Sequence, residues 1–146
     1  MESLFRCPVC GAPLDRGDRA YRCPAGHSYD IAREGYTYLL PPNQKHSAAP
    51  GDDRDMAAAR RDFLSKRYYD LLLNTLCCQI LSLSGESPVI WDVGCGEGFY
   101  ARSLAPLFDD IVAFDLSREG IALASSGPKD ETARRIAFLV ADLTRI

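Results

Sequence analysis

Three cysteines and a histidine sit close together near the start of this 146-residue chain. They read Cys7-Pro8-Val9-Cys10, then twelve residues, then Cys23-Pro24-Ala25-Gly26-His27. This C-x2-C-x12-C-x3-H pattern constrains the fold more than any other feature. Two short knuckles each offer a pair of ligand atoms, and one hairpin-like excursion from Gly11 to Arg22 brings the pairs together. In a cytosolic chain such spacing reads as zinc rather than disulfides. Three thiolates and one imidazole complete a tetrahedron and leave no position for water. Cys7, Cys10, Cys23 and His27 therefore read as ligands of a structural zinc ion, not a catalytic one. Residues 1–40 are too few for a self-sufficient apolar core, so a metal staple is physically needed there. Cys77 and Cys78 differ: they lie in an apolar helical run and read as core filler.

Length and composition suit one medium domain or two small ones. The chain is 47% hydrophobic and 25% charged, with a net charge of −3. No apolar run approaches the roughly 20 residues that cross a bilayer, so no membrane partner is expected. The opening MESLFRCPVC has no signal-peptide core, and the chain reads as cytoplasmic. Charge is unevenly split. Residues 1–66 hold ten Lys and Arg against nine Asp and Glu, and residues 67–146 hold seven against eleven. The basic front interleaves Tyr21, Tyr29, Tyr36 and Tyr38 with Arg6, Arg16, Arg19, Arg22 and Arg33. Such mixtures suit stacking on unpaired bases and pairing with phosphates. A small core with snorkelling arginines has the same composition, and composition alone does not separate the two.

Beyond the zinc module, residues 41–51 read as a linker of turn residues. Asp52 or Asp53 caps a helix through DMAAARRDFL. A second helical run, Tyr68 to Leu83, spaces Leu72, Leu76, Ile80 and Leu83 at helical periodicity. From residue 88 strands and helices alternate: strand 89–93, helix 97–108, strand 111–116, a helix capped by Ser117 and ending at Ser125, and strand 136–141. That alternation implies a parallel sheet with right-handed crossovers. The fold class is α/β: a small zinc-binding module at 1–40, a linker and helix at 41–66, and the first half of a Rossmann-like domain at 67–146.

Between the first strand and its helix lies Asp92-Val93-Gly94-Cys95-Gly96-Glu97-Gly98. Gly94 and Gly96 let the backbone turn tightly and approach a ligand. The spacing is G-x-G-x-G, which departs from the G-x-G-x-x-G of dinucleotide sites and disfavours NAD. Asp115, nineteen residues after Gly96, ends the second strand and can accept both hydroxyls of a ribose. Asp142 follows the third strand and could accept from an adenine amino group. Asp92 either holds the loop through backbone hydrogen bonds or reaches a cofactor ammonium through water. Strand ends facing one crevice are where open α/β sheets bind ligands. An acidic crevice fits adenosine with a cationic tail and no phosphate, which describes S-adenosylmethionine.

With both halves read, the chain resembles the bacterial 23S rRNA guanine-N1 methyltransferases of the RlmA type. The resemblance runs over nearly all of the chain and rests on CPVC, CPAGH, AREGYTYLLPPNQKH, PGDDRDMAAARRDFL and WDVGCGEGFY. It implies that the zinc module grips a large-subunit rRNA hairpin and that a Rossmann-like domain binds S-adenosylmethionine. It also implies cofactor contacts at Tyr69, Gly96 and Glu97, with Asp115 on the ribose; the family is not consistently acidic at Asp142. Family members are nearly twice this long. The resemblance therefore implies that a fourth strand, a target-base pocket and a cofactor-contacting histidine lie beyond residue 146. A sheet left open there is prone to marginal stability or self-association, including a homodimer. The implied reaction is an in-line methyl transfer to a guanine ring nitrogen, and no residue here reads as its base. Two rivals stand beside it: a methyltransferase acting on a small molecule or protein, and a non-catalytic, zinc-dependent RNA-binding module.

Overall fold

The computed structural model describes residues 4–41 and 51–145. The ribbon comes first. Strands β1 (Asp15–Arg16), β2 (Ala20–Arg22) and β3 (Ser28–Asp30) form a small antiparallel sheet, with Tyr21 opposite both Arg16 and Tyr29. Most of the expected linker, residues 42–50 with His46, lies outside the described residues.

Helix α1 (Arg54–Ser65) starts where the Asp53 side chain accepts from the Met56 amide, one of the two aspartates expected to cap it. Helix α2 spans Asp70–Leu83 and strand β5 spans Val89–Val93. Helix α3 is shorter than expected, Phe99–Leu104 rather than 97–108. Gly98 before it adopts φ +82, which a right-handed helix does not admit, and Pro106 after it lacks the N–H that would continue the ladder. Strand β6 (Asp110–Asp115) precedes α4 (Arg118–Ser125), whose cap is the expected Ser117, accepting from the Gly120 amide. Strand β7 spans Ile136–Val140.

Strands β5, β6 and β7 pair in parallel, as the alternation of elements implies. The sheet continues further. Strand β4 (Thr37–Tyr38), inside the span assigned to the zinc module, pairs in parallel with β7, giving the order β4-β7-β6-β5. Two residues carry no periodicity, and their partners lie about a hundred positions downstream, so local pattern could not reveal this strand.

The pleat of β6 and β7 divides two cores. On one face Ile111, Ala113, Ile136, Phe138 and Val140 pack with Ala101 and Leu104 of α3 and Ile121 and Ala124 of α4. On the other, Val112, Phe114 and Leu139 pack with Phe5, Leu14, Tyr21 and Leu39 of the ribbon, and with Cys7 and Cys23 themselves. The ribbon is thus a third layer against the sheet, not a bead on a tether. Helix α2 departs from expectation. It buries no residue: Cys77 and Ile80 touch the first core, while Cys78, Leu72 and Leu83 are exposed. Cys78 is therefore not core filler, because α2 meets the core along one narrow stripe. Among the described residues no helix is long and apolar enough to cross a membrane.

Candidate functional site

The first site is the knuckle pair. The ligand atoms of Cys7, Cys10, Cys23 and His27 all lie within 4.8 Å of one another. Cys10 Sγ and Cys23 Sγ are 3.7 Å apart, and His27 Nδ1 is 3.3 Å from Cys23 Sγ and 3.6 Å from Cys7 Sγ. Zinc–sulfur bonds of about 2.3 Å in a tetrahedron put sulfurs about 3.8 Å apart, so these separations are the edges of a metal-sized tetrahedron. The donor set fits zinc. Burial alone would raise the Cys7 thiol. Hydrogen bonds from the Tyr29 hydroxyl and from the backbone at Cys10 and Val9 overcome that and bring it down to about 6. A thiolate at neutral pH is the form that binds metal. Tyr29 itself is pushed the other way, by burial first and then by the cysteines, and keeps its proton.

The second site is the turn after β5. Gly94, Gly96 and Gly98 all have positive φ. A Cβ on Gly94 would meet nothing within 4 Å, so open space lies above the turn. A Cβ on Gly98 would lie 2.9 Å from Ala124 and 3.1 Å from Phe138, so that glycine serves packing against α4 and β7 instead. Asp115 fastens the turn from β6: its Oδ2 accepts from the Gly96 amide at 2.9 Å and its Oδ1 from the Ser117 amide at 2.8 Å. A carboxylate has about four lone-pair positions, so two remain for a ribose. Asp92 Oδ2 accepts from the Ala101 amide at 3.1 Å, which ties the end of β5 to helix α3. Desolvation raises its pKa, and neighbouring Asp115 and Glu97 add to the rise. Cys95 is likewise pushed up, by burial and then by Asp92 and Asp115, and stays a neutral thiol.

The remaining residues expected at the cofactor have partners within the chain. Glu97 is buried, and its Oε2 accepts from Arg61 Nε at 3.2 Å, while Arg61 Nη2 donates to the Leu123 carbonyl. Its carboxylate thus ties the loop to α1. Asp142 Oδ1 accepts from the amide and hydroxyl of Thr144, closing a local turn after β7. Tyr69 precedes α2 and sets its ring edge-on to Phe63, centroids 6.0 Å apart. Sequence reasoning missed Arg60, Arg61 and the second role of Ser117, whose hydroxyl donates to the Asp52 carbonyl. The only available signal was the block PGDDRDMAAARRDFL, too distinctive for a generic helix.

Fold and site define a class: a Cys3His zinc ribbon packed on a Rossmann-like sheet whose glycine turn and acidic strand ends are of the methyltransferase kind. Residues 5–48 match the family described as RlmA, N-terminal, and residues 90–146 match the family described as methyltransferase domain. A putative 23S rRNA (guanine-N(1)-)-methyltransferase of Micromonospora griseorubida is 54% identical over 70 residues, 45% of this chain and 23% of that protein. The 23S rRNA (guanine(748)-N(1))-methyltransferase of Streptomyces fradiae is 35% identical over 133 residues, 90% of this chain and 44% of that protein. A putative 23S rRNA (guanine-N(1)-)-methyltransferase of Bacillus subtilis, YxjB, is 30% identical over 98% of this chain and 51% of that protein. The chain thus joins an RlmA-type N-terminal zinc ribbon to a methyltransferase domain, and along most of its length it is similar to 23S rRNA guanine-N1 methyltransferases. It spans about half the length of the relatives that match it from end to end. A methyltransferase domain implies S-adenosylmethionine, and the open space above Gly94 beside unspent carboxylate lone pairs fits that group.

Proposed function

We propose that this chain forms part of an S-adenosylmethionine-dependent enzyme that methylates a guanine ring nitrogen in a 23S rRNA hairpin. The observation that carries the reading is the fastened glycine turn: Asp115 grips Gly96 while the space over Gly94 stays open. Bound there, the cofactor supplies an electrophilic methyl group on a sulfonium. The chain's part is to hold the cofactor, with Asp115 on the ribose, Gly94 and Gly96 giving close backbone approach, Glu97 contacting the cofactor from the turn, and Asp92 holding the loop or reaching the cofactor ammonium through water. Asp142 on the adenine side and Tyr69 on the cofactor complete the proposed set. Cys7, Cys10, Cys23 and His27 hold a structural zinc, and the ribbon presents the exposed Arg22 and Arg33 to RNA.

In this reading residues 1–40 recognise RNA, 41–66 connect, and 67–146 bind the cofactor, although β4 and the second core join the first part to the third. Calorimetric titration of S-adenosylmethionine and of a 23S rRNA hairpin into the zinc-loaded chain tests the reading. Binding of both, with RNA affinity reduced by Arg22→Ala or Arg33→Ala, is expected. RNA binding with no cofactor heat would leave only a binding module. Cofactor binding with no preference for RNA would favour a small-molecule or protein substrate.

The proposed homodimer rests on β5, which among the described residues pairs on one side only and leaves Val89, Trp91 and Val93 about half exposed. Sedimentation is expected to show concentration-dependent association that Trp91→Lys reduces.

A further inference from the structure

The surroundings of the glycine turn are rich in carboxylates, from Asp92, Glu97 and Asp115. Two arginines of α1 come to the same place and are used differently. Arg61 is committed to Glu97 and the Leu123 carbonyl. Arg60 lies over the turn itself: its Cδ and Nε are 3.6 and 3.9 Å from the position a Cβ on Gly96 would take. About half of its side chain is open to solvent.

Its orientation is set from behind. Asp52 Oδ2 accepts from Arg60 Nε at 3.0 Å and from Nη2 at 2.8 Å. Asp52 is in turn anchored by its carbonyl, which accepts from the Ser117 hydroxyl at the cap of α4. Gly51 makes the anchoring possible, since a Cβ there would lie 2.7 Å from the Ser117 backbone nitrogen. A guanidinium carries five N–H donors, and Asp52 takes two of them. Among the described residues the other three have no acceptor, and they sit beside a turn built to approach a ligand.

We propose that Arg60 binds the α-carboxylate of the amino-acid tail of the cofactor, with Asp52 as its positioning residue. The inference rests on the S-adenosylmethionine reading of the crevice. That tail carries an ammonium and a carboxylate. Acidic strand ends suit the ammonium and the ribose hydroxyls, but they repel a carboxylate unless a cation faces it. A planar guanidinium already held by one carboxylate can present its remaining edge to a second, which a lysine cannot do with the same geometry. The block PGDDRDMAAARRDFL is then a cofactor-binding element: Gly51 and Asp52 dock on Ser117, and eight residues further on, about two helix turns, Arg60 faces the turn it serves.

The test compares two thioether ligands that differ only in the tail. S-adenosylhomocysteine has the amino acid; 5′-methylthioadenosine has a methyl group in its place. Calorimetry on the zinc-loaded chain and on Arg60→Ala measures both. Arg60→Ala is expected to weaken S-adenosylhomocysteine at least tenfold, the scale of a lost charged hydrogen bond, and to leave 5′-methylthioadenosine within twofold. Arg60→Lys is expected to recover only part of the loss. Retained 5′-methylthioadenosine binding shows that the variant is folded. If the parent chain binds both ligands and Arg60→Ala changes neither, or weakens both alike, the role of Arg60 is overturned while the crevice reading stands. If the parent chain binds neither ligand, the crevice reading fails and this inference falls with it.

Discussion

Asp92 is the residue on which the crevice imposes the clearest strain. Its carboxyl is desolvated beneath the turn and faces Asp115 and Glu97, and both effects disfavour its charge. One hydrogen bond from the Ala101 amide works the other way without prevailing. A carboxyl whose pKa is higher in the folded state than in the unfolded state binds protons more tightly when folded. Its contribution to stability is therefore complete below the ordinary carboxylate range and is lost as pH rises through the folded value. Asp92→Asn keeps an oxygen for the Ala101 amide and removes the charge. It is expected to unfold at a temperature equal to or above that of the parent at pH 7, and to flatten the decline in stability between pH 4 and 7, both measured by thermal melts across pH. A variant that melts well below the parent at neutral pH would show that the charge itself holds the turn. Asp115 differs, because both of its oxygens accept backbone amides. The same residue type at neighbouring strand ends therefore does two jobs.

At the scale of elements, what the sequence made legible was what local rules govern. Asp53 and Ser117 are caps because a short oxygen-bearing side chain there satisfies helix amides, and both lie where side-chain chemistry put them. Strands β5, β6 and β7 are apolar runs bounded by breakers, and they fall within one residue of their expected ends. Helix α3 lost both ends to Gly98 and Pro106, residues whose backbone limits outrank helical composition. Strand β4, the exposure of most of α2 and the salt link of Arg61 to Glu97 were hidden, because each is decided by a partner distant in sequence. The knuckle ligands and the glycine turn were visible by spacing, and the arginines of α1 were not, since a charged residue on a helix carries no mark of what it will face. Gly98 tests the packing side of this account. Its positive φ and the 2.9 Å approach of Ala124 leave no room for a side chain. Gly98→Ala is expected to cost about 2 kcal/mol in denaturant unfolding, combining φ strain with overpacking. Gly94→Ala, with open space above it, is expected to cost only the φ strain, about 1 kcal/mol.

The whole molecule behaves as three layers that share a sheet, and this makes zinc more than a local staple. Cys7 and Cys23 lie within the second core beside Phe5, Leu14, Tyr21 and Leu39, against Val112, Phe114 and Leu139. Fully burying an apolar side chain of this size contributes roughly 1.5–3 kcal/mol, so the ribbon layer is a substantial part of what holds the sheet. Removing the metal takes away the one cation that three cysteines and an imidazole share at the edge of that core, and the ribbon is expected to detach rather than persist as an empty frame. The single tryptophan, Trp91 on β5, reports this from outside the ribbon, because its ring stands edge-on to Phe114 with centroids 6.0 Å apart. A tight zinc chelator is therefore expected to shift Trp91 emission to longer wavelength and to lower the melting temperature of the β5–β7 sheet itself. Restoring zinc is expected to reverse both. An unchanged Trp91 spectrum alongside full metal loss would mean that the ribbon and the sheet fold independently. In that case the shared core would not couple the metal site to the glycine turn that follows β5.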